Sequence, residues 1–138
     1  MCNHVRDASP RIREKEPTVL RLLLVEDHVT FRQGLKFLLD RQPNMRVVAE
    51  CGSVAGCRAL EGLGLVDVAL LDLMLPDGDG TELIVVLRRA NPGVKVLVLS
   101  ASIEPGLAER AAEAGADGVL NKATALTEIV DEVARLAR

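Results

Sequence analysis

Five polar side chains stand where short apolar runs of the sequence end: Glu26 and Asp27 after Leu20–Val25, Asp72 after Asp67–Leu71, Ser100 after Val94–Leu99, and Lys122 after Asp117–Asn121. Brought to one place, three carboxylates repel one another by about 4 kcal/mol per close pair, for ~4 Å separations and an effective dielectric near 20. Such a cluster calls for a cation. Carboxylate oxygens with few nitrogen or sulfur donors suit Mg²⁺, which takes one or two carboxylates directly and keeps water or phosphate oxygens as its other ligands. Three acids, a divalent ion and Lys122 then sum to zero charge, so a phosphoryl group could enter without a large electrostatic penalty.

These groups can meet only if the runs are neighbouring strands whose carboxyl ends share one rim. From Leu20 onward, apolar runs alternate with segments of helical period, as a βαβ chain requires. Strands are expected at Leu20–Val25, Met45–Cys51, Asp67–Leu71, Val94–Leu99 and Asp117–Asn121. The first helix is opened by the capping-box form Thr30-Phe31-Arg32-Gln33, buries Phe31, Leu35, Leu38 and Leu39, and stops at Pro43-Asn44. A weaker helix runs from Ser53 to about Leu63, loosened by Gly56 and ended by Gly62 and Gly64. Pro76-Asp77-Gly78 forces a turn, after which Asp79 with Glu82 caps a third helix whose inner face is Leu83, Ile84, Leu87 and Ala90. Pro105 and Gly115 bracket a fourth, Glu104–Ala114, and Thr124 caps the last, with Leu126, Ile129, Val130 and Val133 inward. Right-handed crossovers place these helices on both faces of a parallel sheet, an α/β doubly wound architecture with its ligand crevice beyond the strand ends.

Composition narrows the function classes. With 138 residues, 49% hydrophobic and 27% charged, the chain makes one globular domain and is not globally disordered. No apolar run approaches the roughly 20 residues that span a bilayer, and the start has no secretory h-region, so no membrane association and a cytoplasmic location are expected. Seventeen basic against 20 acidic residues, with Phe31 and Phe37 the only aromatics, argue against direct nucleic-acid binding by this chain. Cys2, Cys51 and Cys57 are odd in number and irregularly spaced, which fits reduced, incidental thiols. Residues 1–17 read as a loose arm and 18–138 as the folded domain.

The segments Leu24-Val25-Glu26-Asp27-His28 and Asp72-Leu73-Met74-Leu75-Pro76-Asp77-Gly78, followed by Ser100 and Lys122 on successive strands, resemble the receiver domain of two-component response regulators. The likeness covers Leu20–Arg138 and is greatest to regulators that join a receiver to a helix-turn-helix DNA-binding domain. It implies a flavodoxin-like sheet of order 2-1-3-4-5 with five helices. It further implies Asp72 as phosphoacceptor, Glu26 and Asp27 as the acidic pair with Asp27 the more direct Mg²⁺ ligand, and the backbone carbonyl of Met74 as another ligand. Ser100 would be the switch hydroxyl and Lys122 the cation that pairs with the phosphoryl group. The implied partners are a sensor histidine kinase as donor and a second copy of the chain on phosphorylation. A receiver of this kind is not a turnover enzyme; it catalyses only its own aspartyl phosphorylation and dephosphorylation.

Two positions depart from the family pattern. Val119 stands where a Tyr or Phe is usual, which removes an aromatic rotamer switch, and Ala123 replaces the common proline after the lysine. Val119 keeps open a pseudo-receiver that works through constitutive protein contacts. Because the chain ends at Arg138, it is either a stand-alone receiver or a piece of a longer protein. Met74 occupies the position where an aspartyl phosphohydrolase of the haloacid-dehalogenase type needs a second acid, which argues against that class. His28 reads as a rim residue, and Asp77-Gly78-Asp79-Gly80 fails as a calcium loop because Glu82 holds the sixth position, where a glycine is needed.

Overall fold

A computed structural model describes Ile12, residues 19–101 and residues 105–138. Five parallel strands form the central sheet: β1 (Leu20–Val25), β2 (Met45–Cys51), β3 (Val68–Asp72), β6 (Lys95–Ser100) and β7 (Gly118–Asn121). Their order is β2-β1-β3-β6-β7, which is the expected 2-1-3-4-5 once the small antiparallel pair β4 (Met74–Leu75) and β5 (Gly78–Asp79) is counted apart. That ribbon, absent from the sequence reading, is closed by the Pro76-Asp77 turn.

Alternation along each strand divides the core into two layers. Leu23, Val25, Ala69, Leu71, Val96 and Val98 face α2 (Val54–Arg58), α3 (Thr81–Ala90) and α4 (Leu107–Ala114). Leu22, Leu24, Val68, Leu70, Leu97 and Leu99 face α1 (Val29–Asp40) and α5 (Leu126–Leu136). The expected stripes are buried at Leu35 and Leu39, at Leu83, Ile84 and Leu87, and at Ile129, Val130 and Val133; Ala90 instead is exposed.

Helix starts differ from expectation for local reasons. Thr30 does not cap α1; the N-cap is His28, and its N–H donates to Glu26 Oε2 at 2.8 Å. Ser53 does cap α2, accepting from Gly56 N at 2.9 Å, but that helix lasts five residues rather than reaching Leu63. The chain instead turns through Gly62, at φ 89°, into a short 3₁₀ turn at Leu63–Leu65. Glu82 pairs with Arg58 instead of completing a capping box, while Asp79 Oδ1 accepts from Thr81 N. The fourth helix begins at Leu107, after Gly106 at φ 86°; Glu104, its expected start, lies outside the described residues. Ala125, not Thr124, precedes α5, and its carbonyl accepts from Glu128 N and Ile129 N.

Of the arm, only Ile12 is described, and it is buried: its N–H donates to the Glu61 carbonyl at 2.9 Å and its side chain packs against the layer facing α2 and α3. Cys51 and Cys57 are buried and in no disulfide, and the Cys57 thiol beside it together with burial pushes the Cys51 thiol up. Cys2 lies outside the described residues.

Candidate functional site

The strand ends deliver the acids and the lysine to one rim. Glu26 follows β1, Asp72 ends β3, and the residues just before them, Val25 and Leu71, are register partners. One carboxylate oxygen from each of Glu26, Asp27 and Asp72 lies within 4.8 Å of the others. Glu26 and Asp72 are buried and Asp27 is exposed, so the cluster opens to solvent through Asp27. Lys122 follows β7 and its N–H donates to the Ser100 carbonyl at 2.8 Å, which ties the lysine to the end of β6. Its ammonium stands 2.7 Å from Glu26 Oε1 and 3.2 Å from Asp72 Oδ2. Burial pulls the Lys122 pKa down, but the two carboxylates outweigh it and the net shift is upward.

The second oxygens are held by the backbone. Asp72 Oδ1 accepts from Met74 N at 2.9 Å, and Glu26 Oε2 is the oxygen that accepts from His28 N. Glu26 Oε1 is fully buried, with the Lys122 ammonium 2.7 Å away as its partner. Three carboxylates gathered within 4.8 Å, two of them buried, form a set of hard oxygen donors that fits a divalent cation.

Each position named from the sequence is accounted for. Glu26, Asp27, Asp72 and Lys122 converge. Ser100 stands at the same rim, one residue past Leu99, which is the register partner of Asp72. Its side chain borders a cavity of about 420 Å³ shared with Met74, Leu75, Leu107 and Arg110. The Met74 N–H contacts Asp72 while its side chain is exposed, and the His28 side chain lies on the exposed rim. Val119 is half-buried against the layer facing α4. Where a proline would have no N–H, Ala123 N donates to Asn121 Oδ1 at 2.7 Å.

Four residues of the site were not singled out for it from sequence. Arg32 donates through Nη1 to the Glu26 carbonyl at 2.5 Å and through Nε to Glu50 at 3.1 Å, pinning the turn that carries Glu26. Phe31, placed only as core, has its ring centroid 5.0 Å from Lys122 Nζ. Gly80 donates to the Leu73 carbonyl at 2.8 Å. Asp77 accepts from Val54 N at 2.8 Å and Ala55 N at 2.9 Å, joining the ribbon after Asp72 to the start of α2. The one sequence signal among these was the Pro-Asp-Gly turn.

The Ala55 and Val54 N–H groups hold the Asp77 carboxyl below its ordinary value of 3.8. A native pKa below the unfolded one contributes stability that is present above the unfolded value and lost as pH falls through the native one. Asp77→Asn is therefore expected to flatten the loss of thermal midpoint on acidification below about pH 4. Thermal midpoints of parent and variant followed through acidification test this, and curves of the same slope would mean that the clamp does not depend on charge.

Residues 22–134 match the response regulator receiver domain family. The chain belongs to that family. This receiver domain is 37% identical over 121 residues to the transcriptional regulatory protein UhpA of Salmonella typhimurium, covering 86% of this chain and 59% of UhpA. It is 38% identical over 104 residues to the DNA-binding transcriptional activator DevR/DosR of Mycobacterium tuberculosis, covering 75% of this chain and 48% of that protein. The receiver domain thus spans about half the length of the curated relatives it matches. Among solved structures, the signal receiver domain of NarL from Mycobacterium tuberculosis superposes with a TM-score of 0.75 at 33% identity, over 88% of this chain and 98% of that one. A LuxR-family response regulator from Aurantimonas sp. SI85-9A1 gives 0.75 at 30% identity, over 86% of each. Among the described residues no helix is long and apolar enough to cross a membrane.

Proposed function

We propose that this receiver domain is a phosphorylation-controlled switch that takes a phosphoryl group from the phosphohistidine of a sensor histidine kinase onto Asp72. The observation that carries this reading is Lys122 held between Glu26 and Asp72 inside a three-carboxylate cluster. A carboxylate oxygen of Asp72 attacks phosphorus, the phosphorus–nitrogen bond of the donor breaks, and the imidazole nitrogen keeps the electron pair and takes up a proton. Little acid–base work is asked of the protein, so positioning and charge neutralisation do most of it. The Met74 N–H fixes the rotation of the Asp72 carboxylate, and Lys122 is placed to pair with the added charge. Ser100 supplies a hydroxyl at the same rim. Glu26, Asp27, Asp72 and the Met74 carbonyl would hold Mg²⁺, which supplies Lewis-acid neutralisation of phosphoryl oxygens when bound.

The relatives' names point to transcription control as the output; in this reading it is exerted in the cytoplasm, through a DNA-binding partner domain or through pairing of two phosphorylated copies. Val119 leaves no ring on β7 to relay the change, which leaves the Ser100 hydroxyl to report it. Incubation with MgCl₂ and phosphoramidate is expected to add one phosphoryl group per chain, seen by mass spectrometry, and a chelator to prevent it. A chain that gains no such mass, and whose amide spectrum ignores beryllofluoride, is a constitutive binding module instead.

A further inference from the structure

The protein has two aromatic residues, and one of them faces the lysine of the acid pocket. Phe31 lies on α1, half-buried against the layer shared with α5, and its ring centroid is 5.0 Å from Lys122 Nζ. The ammonium therefore has three neighbours of complementary charge: Glu26 Oε1, Asp72 Oδ2 and the negative face of the ring. Only 16% of the lysine side chain is exposed. The two carboxylates are the groups whose electrostatics must change when a cation or a phosphoryl group arrives, whereas the ring is neutral and fixed by the core. It is the one neighbour of the three that stays in place whatever the charge of the pocket.

We infer that Phe31 is a positioning residue for Lys122, holding the ammonium over the pocket by a cation–π contact while its carboxylate partners engage other ligands. The chain lacks a ring at 119 on one side of the site and has one at 31 on the other. This inference rests on the proposed phosphoryl chemistry and adds to it a second residue from α1, whose Arg32 already holds the turn that carries Glu26. Phe31→Leu keeps an apolar side chain against the α1–α5 layer and removes the π face; Phe31→Tyr keeps both.

The test joins a rate to a local spectroscopic signature. Phe31→Leu should slow phosphoryl uptake from phosphoramidate by about three- to tenfold, the range a partly buried cation–π contact supports. The Lys122 side-chain methylene resonances, shifted by the ring current in the parent and linked to Phe31 ring protons by cross-relaxation, should move toward ordinary lysine values. Phe31→Tyr should restore both rate and shift. Parental uptake by Phe31→Leu, unmoved Lys122 resonances, or absent cross-relaxation in the parent itself would each overturn the inference while leaving Asp72 chemistry intact. A parent that takes no phosphoryl group sinks the reading beneath it as well.

Discussion

Asp72→Asn is expected to lower phosphoryl uptake at least about a thousandfold, because it removes the nucleophile and leaves no other buried carboxylate in the same position. Its effect on the fold is expected to be small, and that contrast is what makes it informative. In metal-free buffer the substitution removes one attraction, to Lys122 at 3.2 Å, worth about 5 kcal/mol at an effective dielectric near 20. It also removes two repulsions, from Glu26 and Asp27 at up to 4.8 Å, each about 3.5 kcal/mol before solvent screening of the exposed Asp27. The repulsions lost exceed the attraction lost by about 2 kcal/mol before that screening, and the amide oxygen can still accept from Met74 N. Chemical unfolding should therefore find the variant no less stable than the parent, and at most about 2 kcal/mol more so. The rise in thermal midpoint that MgCl₂ gives the parent should shrink, since binding to the native state alone is what links ligand to stability. A variant that still acquires a phosphoryl group would move the acceptor elsewhere.

What could be read from the sequence follows from which interactions are local. Strands β1 and β2 are expected at their observed residues from consecutive positions alone: β1 is a short, largely apolar run ended by Glu26, and β2 is a short segment set off by Pro43-Asn44 before it and Gly52 after it. Glu26, Asp72 and Lys122 were legible for the same reason: they sit at run ends, and a parallel sheet brings run ends to one rim. Phe31 is not legible as a site residue, because a ring at a half-buried helix position looks the same whether its face meets leucine or lysine. Arg32 was hidden for a similar reason, since its partners are a backbone carbonyl at 26 and an acid on β2. The start of α1 differs from expectation because its cap comes from outside the segment: the His28 N–H is taken by Glu26. The start of α2 falls at Ser53 as expected, although Asp77, from 22 or more positions away, also holds it. Ile12 was read as part of a loose arm because a lone isoleucine among charges has no period, and only the tertiary groove beside Glu61 and Gly62 shows where it docks.

Gly80→Ala is expected to damage both stability and chemistry, for a reason of clearance rather than of backbone freedom. Gly80 has an ordinary helical conformation, φ −62° and ψ −17°. A Cβ there, however, would stand 2.6 Å from the Asp72 carbonyl oxygen and 2.8 Å from Leu73 Cα. Both are backbone atoms, so no flexible side chain can move aside; the segment carrying the acceptor must shift, or the Gly80 N–H to Leu73 carbonyl bond must break. Overpacking of this kind costs about 1–3 kcal/mol. A displacement near 1 Å at a reacting group costs on the order of a hundredfold in rate. The variant should thus lose roughly 2 kcal/mol in chemical unfolding and, at temperatures where it remains folded, take up phosphoryl groups ten- to a hundredfold more slowly. Gly34→Ala supplies the contrast. That glycine lies within α1, where an added Cβ would meet Leu126 Cδ1 at 3.9 Å, an ordinary van der Waals contact, and alanine there should raise stability by up to about 1 kcal/mol without changing uptake. If Gly80→Ala instead melts with the parent and reacts at the parental rate, close packing of the ribbon against the end of β3 is not what aims Asp72 at its donor.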